Sequence, residues 1–293
     1  MFSLRPLSSV VLMIAGTLAG CKSDRPSGDP QSSSATTTAA YPGGSPASVT
    51  VTANDFSFEA PGKVPAGAVT MRLVNKGTEL HHAQLVKLED GKTVDDVAKA
   101  LKNPGPPPSW VRFVGGPNAV APGGEAQATS VLSAGNYAYL CFIPSPDRVM
   151  HAAKGMIMPF TVTGESSTPA AELPAADVTI TMVDYDFQLS KPLTPGRHTI
   201  RVDNAGPQPH ELALLRLAPG KTLADFAAWD KGGMKGPPPA EPVGGVVTLD
   251  KGGSAVFSAD LTAGNYGLMC FVPDSKDGKL HFAHGMMKTI KVG

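Results

Sequence analysis

Cysteine is scarce in this chain, three in 293 residues, too few for a disulfide framework. Two of them, Cys141 and Cys270, fall at equivalent positions of an internal repeat, which disfavours a bridge between them. Charge of one sign is also missing. The 25 basic and 25 acidic residues cancel and no long basic run occurs, so no nucleic-acid partner is expected. No apolar run is long enough to cross a bilayer. The N-terminal one, Val10–Leu18, is far too short. Histidine is limited to seven residues, none of them in a His-x-His pair.

What the chain has in plenty is glycine (32) and proline (28), the punctuation of many short strands joined by turns. It also has a repeat. CFIPSPDRVMHAAKGM at 141–156 recurs as CFVPDSKDGKLHFAHGM at 270–286, and the halves overlay with an offset of 129 residues. Each copy holds a cysteine, a histidine and a methionine: Cys141, His151 and Met156, then Cys270, His281 and Met286. Sixty positions before each cysteine stands another histidine, His81 or His210. Two imidazoles, one thiolate and a weak thioether form the ligand set that suits copper in a trigonal His₂Cys plane with a long axial Met. One copper per repeat is therefore expected.

The N-terminus reads as a secretory signal over 1–20, with Arg5 ahead of the apolar run. Leu18-Ala19-Gly20-Cys21 resembles the bacterial lipobox, which implies lipidation of Cys21 and attachment to a membrane. With Lys22 next, the resemblance favours the outer membrane where two membranes exist, and otherwise the periplasmic side or cell surface. Residues 21–46, rich in Ser, Thr, Ala, Pro and Gly, read as a disordered tether. The folded domains are expected at 47–164 and 177–293, with a linker at 165–176.

Within each half the pattern is mostly of period two. VTVTANDFSFEA at 49–60 answers VTITMVDYDFQL at 178–189, and Val69, Met71 and Leu73 share one face of the next strand. A third strand is predicted to begin at each first histidine, over 80–88 and 209–217. Short helices are predicted over 91–101 and 220–229, with Thr93 and Thr222 as N-caps. Gly-Pro-Pro-Pro and Val-Gly-Gly turns follow them. About seven strands and one helix per half predict an all-β fold of two tandem Greek-key β-sandwiches.

Each half resembles a cupredoxin, the sandwich of the blue copper proteins. Asn204-Ala205-Gly206-Pro207-Gln208-Pro209-His210 is similar to the first ligand segment of plastocyanins, and Asn75-Lys76-Gly77-Thr78-Glu79-Leu80-His81 is its near copy. The cysteine, long loop and His-x4-Met are similar to the type 1 site loop of copper nitrite reductases. The resemblance implies the cupredoxin fold and type 1-like sites made of His81, Cys141, His151 and Met156, and of His210, Cys270, His281 and Met286. Two departures stand out. Plastocyanin-like proteins have a stiffening Asn after the first ligand, where this chain has His82 and Glu211. The second loop is one residue longer than the first.

Plainer readings exist for each residue: a buried apolar thiol for the cysteines, core packing for the methionines. Register with His210 selects His81 over His82, which reads as a surface or supporting residue, and His198 and His284 read as surface residues. The expected role is electron transfer to a transient redox partner, tuned by Phe142, Ile143, Phe271 and Val272 near the sulfur. Copper capture and delivery to a copper-exchange partner, and a metal-free binding module, are the alternatives. No small-molecule substrate is expected. The resemblance extends to two-domain copper enzymes, which need extra imidazoles in His-x-His pairs or just before the site cysteine, where Leu140 and Met269 stand, so the chain is expected not to be an enzyme.

Overall fold

The structure, a computed structural model, describes residues 45–102, 107–164 and 172–293. The signal segment, Cys21, nearly all of the tether and most of the linker lie outside the described residues.

The period-two segments become strands. β1 (Ala47–Asn54) and β4 (Gly67–Asn75) pair in parallel, with Val51, Val69, Met71 and Leu73 inside. β2 (Ser57–Glu59) and β7 (Glu125–Leu132) flank them. A second sheet runs β3 (Lys63–Pro65), β9 (Ile157–Thr163), β8 (Gly135–Leu140), β5 (Gln84–Leu88), β6 (Val111–Phe113). Apolar residues of both sheets enclose one core around Leu73, Leu85, Tyr139 and Phe160. The second half repeats the plan with β10 (Val178–Val183), β11 (Asp186–Leu189), β12 (Gly196–Asn204) and β15 (Ser254–Leu261) in one sheet. The other holds β14 (Ala240–Leu249), β13 (His210–Leu217), β16 (Gly264–Met269) and β17 (Met287–Val292).

The helices are α1 (Val94–Ala100) and α2 (Leu223–Lys231). Thr93 and Thr222 cap them in complete capping boxes with Asp96 and Asp225. Two strand expectations shift. In the first half the third strand starts at Gln84, and His81 pairs only with Val120 through a lone bridge. In the second, Val243-Gly244-Gly245 is no turn but lies inside β14, where the register against β13 shifts. β14 tolerates Pro242 and these glycines because its pairing with β13 is bulged there. Gly245 is obligatory there: at φ 125° a Cβ would lie 2.0 Å from the Leu212 carbonyl oxygen.

The halves are joined by backbone. β15 pairs antiparallel with β7 (Ala255 with Ser130, Phe257 with Ala128), giving one eight-stranded sheet. Residues 114–118 run along β14, with the Gly115 N–H donating to Thr248 O at 3.0 Å and the Val247 N–H to Gly116 O at 3.1 Å. Buried Asn118 donates from Nδ2 to Leu212 O at 3.1 Å and Val246 O at 3.3 Å. Buried Gln84 donates to Thr248 O at 3.0 Å. Removing the Asn118 amide leaves both carbonyls short of a donor inside the junction. Asn118→Ala is expected to lower the unfolding free energy by about 2 kcal/mol, measured by urea denaturation; an unchanged midpoint and slope would show that the Asn118 amide contributes no stability.

Candidate metal centres

The Asn and Gly of the first ligand segment have separate tasks. Asn75 Nδ2 donates to Glu79 O and Val120 O, both at 2.8 Å, and its Oδ1 accepts the Gly77 N–H at 2.8 Å, closing the loop that ends at His81. Asn204 does the same with Gln208 O, Leu249 O and the Gly206 N–H. Glycine is needed beside it for room, because a Cβ on Gly77 or Gly206 would stand 2.6 Å from Nε2 of His81 or His210.

The second segment is a knot of main-chain bonds. Cys141 follows β8. The Ala152 N–H donates to Cys141 O at 2.7 Å, the Met156 N–H to His151 O at 2.9 Å, and the Cys141 N–H to Met156 O at 3.3 Å. The second copy repeats these with Cys270, Phe282, His281 and Met286. Gly155 and Gly285, at φ 108° and 97°, end the short 3₁₀ turns that start at His151 and His281.

These constraints bring His81, Cys141 and His151 together in one half and His210, Cys270 and His281 in the other. All six are fully buried, as are Met156 and Met286. His81 Nδ1 and His151 Nδ1 are 3.0 Å apart, and Cys141 Sγ lies 3.4 Å from the latter and 3.9 Å from the former. The second set shows 3.0, 3.3 and 4.0 Å. Both cysteines are free thiols.

The far ring nitrogens explain why the near ones are bare. His81 Nε2 meets Asp55 Oδ1 at 3.0 Å, His151 Nε2 meets Glu79 Oε2 at 2.9 Å, and His210 Nε2 meets Asp184 Oδ1 at 2.7 Å. The Thr78 hydroxyl above all, with His81 and N–H donors, holds Asp55 well below the usual carboxylate range. An ionised carboxylate only accepts, so each of these Nε2 atoms carries the ring proton. Burial pushes His81 and His210 down from 6.5, and His281 down to about 4, so these rings are neutral near pH 7, and His81 and His210, with the proton on Nε2, present Nδ1 as a lone pair. In the first set the two Nδ1 atoms stand 3.0 Å apart beside the sulfur, close enough for one cation to meet all three. Burial also pushes the Cys141 thiol up to about 12 and raises that of Cys270, so a thiolate here needs a metal charge beside it, with release of the proton. Two imidazoles and one sulfur, fully buried, fit copper.

The second set departs at one point. Gln208 replaces Glu79, Asp274 replaces Ser145, and His281 Nε2 is left without a hydrogen bond, 3.8 Å from Asp274 Oδ2.

His82 and Glu211 are not surface residues. The His82 N–H donates to Cys141 Sγ at 3.5 Å and its Nε2 accepts the Phe142 N–H at 2.8 Å. The Glu211 N–H donates to Cys270 Sγ at 3.4 Å and its Oε1 accepts the Phe271 N–H at 2.9 Å. Two unlike side chains thus tie the two ligand segments together. His198 is buried as well, its Nδ1 2.7 Å from Asp177 Oδ2, because its ring also reaches Thr194 O at 2.7 Å. His284 is exposed and meets Asp277 Oδ1 at 3.1 Å. Sequence reasoning missed Asp55, Asp184, Glu79, Asp274, Phe56 and Tyr185. The repeat carried a signal for some of them, since Asp55 and Asp184, like Phe56 and Tyr185, coincide at the offset of 129 residues.

Burial pushes the Glu211 carboxyl from 4.5 up to about 7. The folded chain therefore holds this proton over a pH range in which the unfolded chain has lost it. Stability of the metal-free protein from this group is full below about pH 4.5 and falls as pH rises to about 7, by up to about 3 kcal/mol. Glu211→Gln keeps the acceptor for Phe271 and is expected to flatten the fall, measured by urea unfolding at about pH 5 and about pH 7.5. Identical pH profiles for the two proteins would refute it.

No protein-family model and no curated protein matches the chain. Among solved structures, reduced auracyanin from Roseiflexus castenholzii is 23% identical over 41% of this chain and 100% of that one, with a TM-score of 0.30. The copper nitrite reductase of Nitrosomonas europaea is 14% identical over 85% of this chain and 94% of that one (TM-score 0.26). A multicopper oxidase is 14% identical over 84% and 88% (TM-score 0.23). The structures that align with most of this chain thus include enzymes, which corrects the expectation that it is not one. In fold the chain is all-β, and its two halves repeat one two-sheet plan.

Proposed function

We propose that this chain binds one copper ion in each half and works as an electron-transfer protein of the cell envelope. The observation that carries the reading is the pair of buried His, Cys, His sets, in each of which two Nδ1 atoms and a sulfur converge within reach of one ion. His81, Cys141 and His151, and His210, Cys270 and His281, are the proposed ligands. Met156 and Met286, whose main chains are bonded to the Cys and second His of each set, would supply a further sulfur to the metal. Copper so held would supply a one-electron couple.

The residues of the chain do the rest. Asp55, Glu79 and Asp184 fix the ring tautomers and raise the basicity of the ligand nitrogens. His82 and Glu211 hold the sulfur through their N–H groups and lock the two ligand segments together. Because these bonds do not involve the metal, the donors keep one arrangement in both oxidation states. The partner is a redox protein that docks transiently, and Cys21 carries the lipid that holds the chain at the membrane.

Copper-loaded protein is expected to bind two copper ions and to show a strong thiolate-to-copper band near about 600 nm. Cys141→Ser and Cys270→Ser should each remove about half of it. Two bound coppers without a reversible one-electron couple would turn the reading to copper exchange, and no bound copper would sink it. Separately, Cys21→Ser is expected to move the protein from the membrane fraction to the soluble one; an unchanged distribution would remove the lipid anchor.

A further inference from the structure

The turn between β1 and β2 and its copy between β10 and β11 share a feature that the ligand geometry does not use. Besides the carboxylate on the first imidazole, Asp55 or Asp184, each carries a bulky aromatic in the left-handed region, Phe56 at φ 65° and Tyr185 at φ 63°. Glycine or asparagine is the ordinary occupant of such a turn, and for a large side chain the conformation is strained. Both rings sit against the second imidazole of their set. Phe56 meets His151 edge to face at 5.2 Å and 72°, and Tyr185 meets His281 at 5.6 Å and 70°. The aromatics are half-buried and the imidazoles beneath them wholly buried.

Each ring is fastened from the ligand loop it covers. Lys154, itself paired with Asp147 at 2.8 Å, places its Nζ 4.7 Å from the Phe56 centroid. Tyr185 donates its hydroxyl to buried Asp274 at 2.5 Å, and its ring lies 5.1 Å from that of His284. The fastenings differ and the outcome is the same. Both rings also pack against the core of their half, and both turns set a strained aromatic on the second imidazole.

Resting on the copper reading above, we propose that Phe56 and Tyr185 are lids that close the His151 and His281 side of each centre to small exogenous ligands and chelators, and so set how slowly the metal is exchanged. Glycine takes up the left-handed conformation without strain, so Phe56→Gly and Tyr185→Gly open the lid without loading the backbone. Tyr185→Phe removes only the fastening to Asp274.

The test uses the full chain. Copper-loaded protein is challenged with excess EDTA and loss of the thiolate-to-copper band is followed. Metal-free protein is labelled with diethyl pyrocarbonate, and modification of His151 and His281 is read by peptide mass. Each glycine variant is expected to speed loss at its own centre and labelling of its own histidine by about tenfold, the size of one lost aromatic contact. Tyr185→Phe should fall between wild type and Tyr185→Gly. Unchanged copper loss in a protein that binds copper overturns the proposal, whatever the labelling. If no copper binds, the functional reading fails and labelling alone decides: faster labelling shows that the rings cover the imidazoles, and unchanged labelling overturns that too.

Discussion

A neutral imidazole has one ring proton, and in this chain carboxylates take it. Asp55, Glu79 and Asp184 each accept that proton on the outer nitrogen of a buried ring, which forces the inner nitrogen to face the interior as a bare lone pair. Much else in each half serves that arrangement. Asn75 and Asn204 close the loops that deliver the first rings, Gly77 and Gly206 leave room for them, and the main-chain knot from Cys to Met sets the second rings. The core sheets are the rigid ground on which two loops and one strand end meet.

The residues that meet at each centre were legible in the sequence because chemistry-bearing residues recur at fixed offsets, and a repeat filters out accident. The strands were legible because half-buried strands alternate, and the helices because Thr93 and Thr222 are followed three residues later by an acid. The supporting residues were harder. Asp55 lies 26 residues before His81, and no local pattern links a turn acid to a distant ring. His82 and Glu211 share a task that depends on backbone position and on any acceptor of the right reach, so their unlikeness hid their equivalence. Val243-Gly244-Gly245 read as a turn because glycine weakens strands, yet a bulged strand accommodates it.

The two centres are copies with one exchange of parts. In the first, the acid for the second ring comes from the first ligand segment, at Glu79; in the second it has moved to the ligand loop, at Asp274, and no longer reaches hydrogen-bond distance. The first ligand loop also meets the other half, since Arg148 Nη2 donates to Asp230 O near the end of α2 at 2.6 Å. Identical donors therefore sit in unequal surroundings.

The pairing of β7 with β15 reaches beyond geometry. Cut apart, each half would present that strand as an open edge of unpaired N–H and C=O groups, with Asn118 and Gln84 stripped of their acceptors on the far side. Such edges invite pairing with another chain. The two halves are thus interdependent in a physical sense: each supplies half of one sheet, and shedding either would leave the other with an open edge.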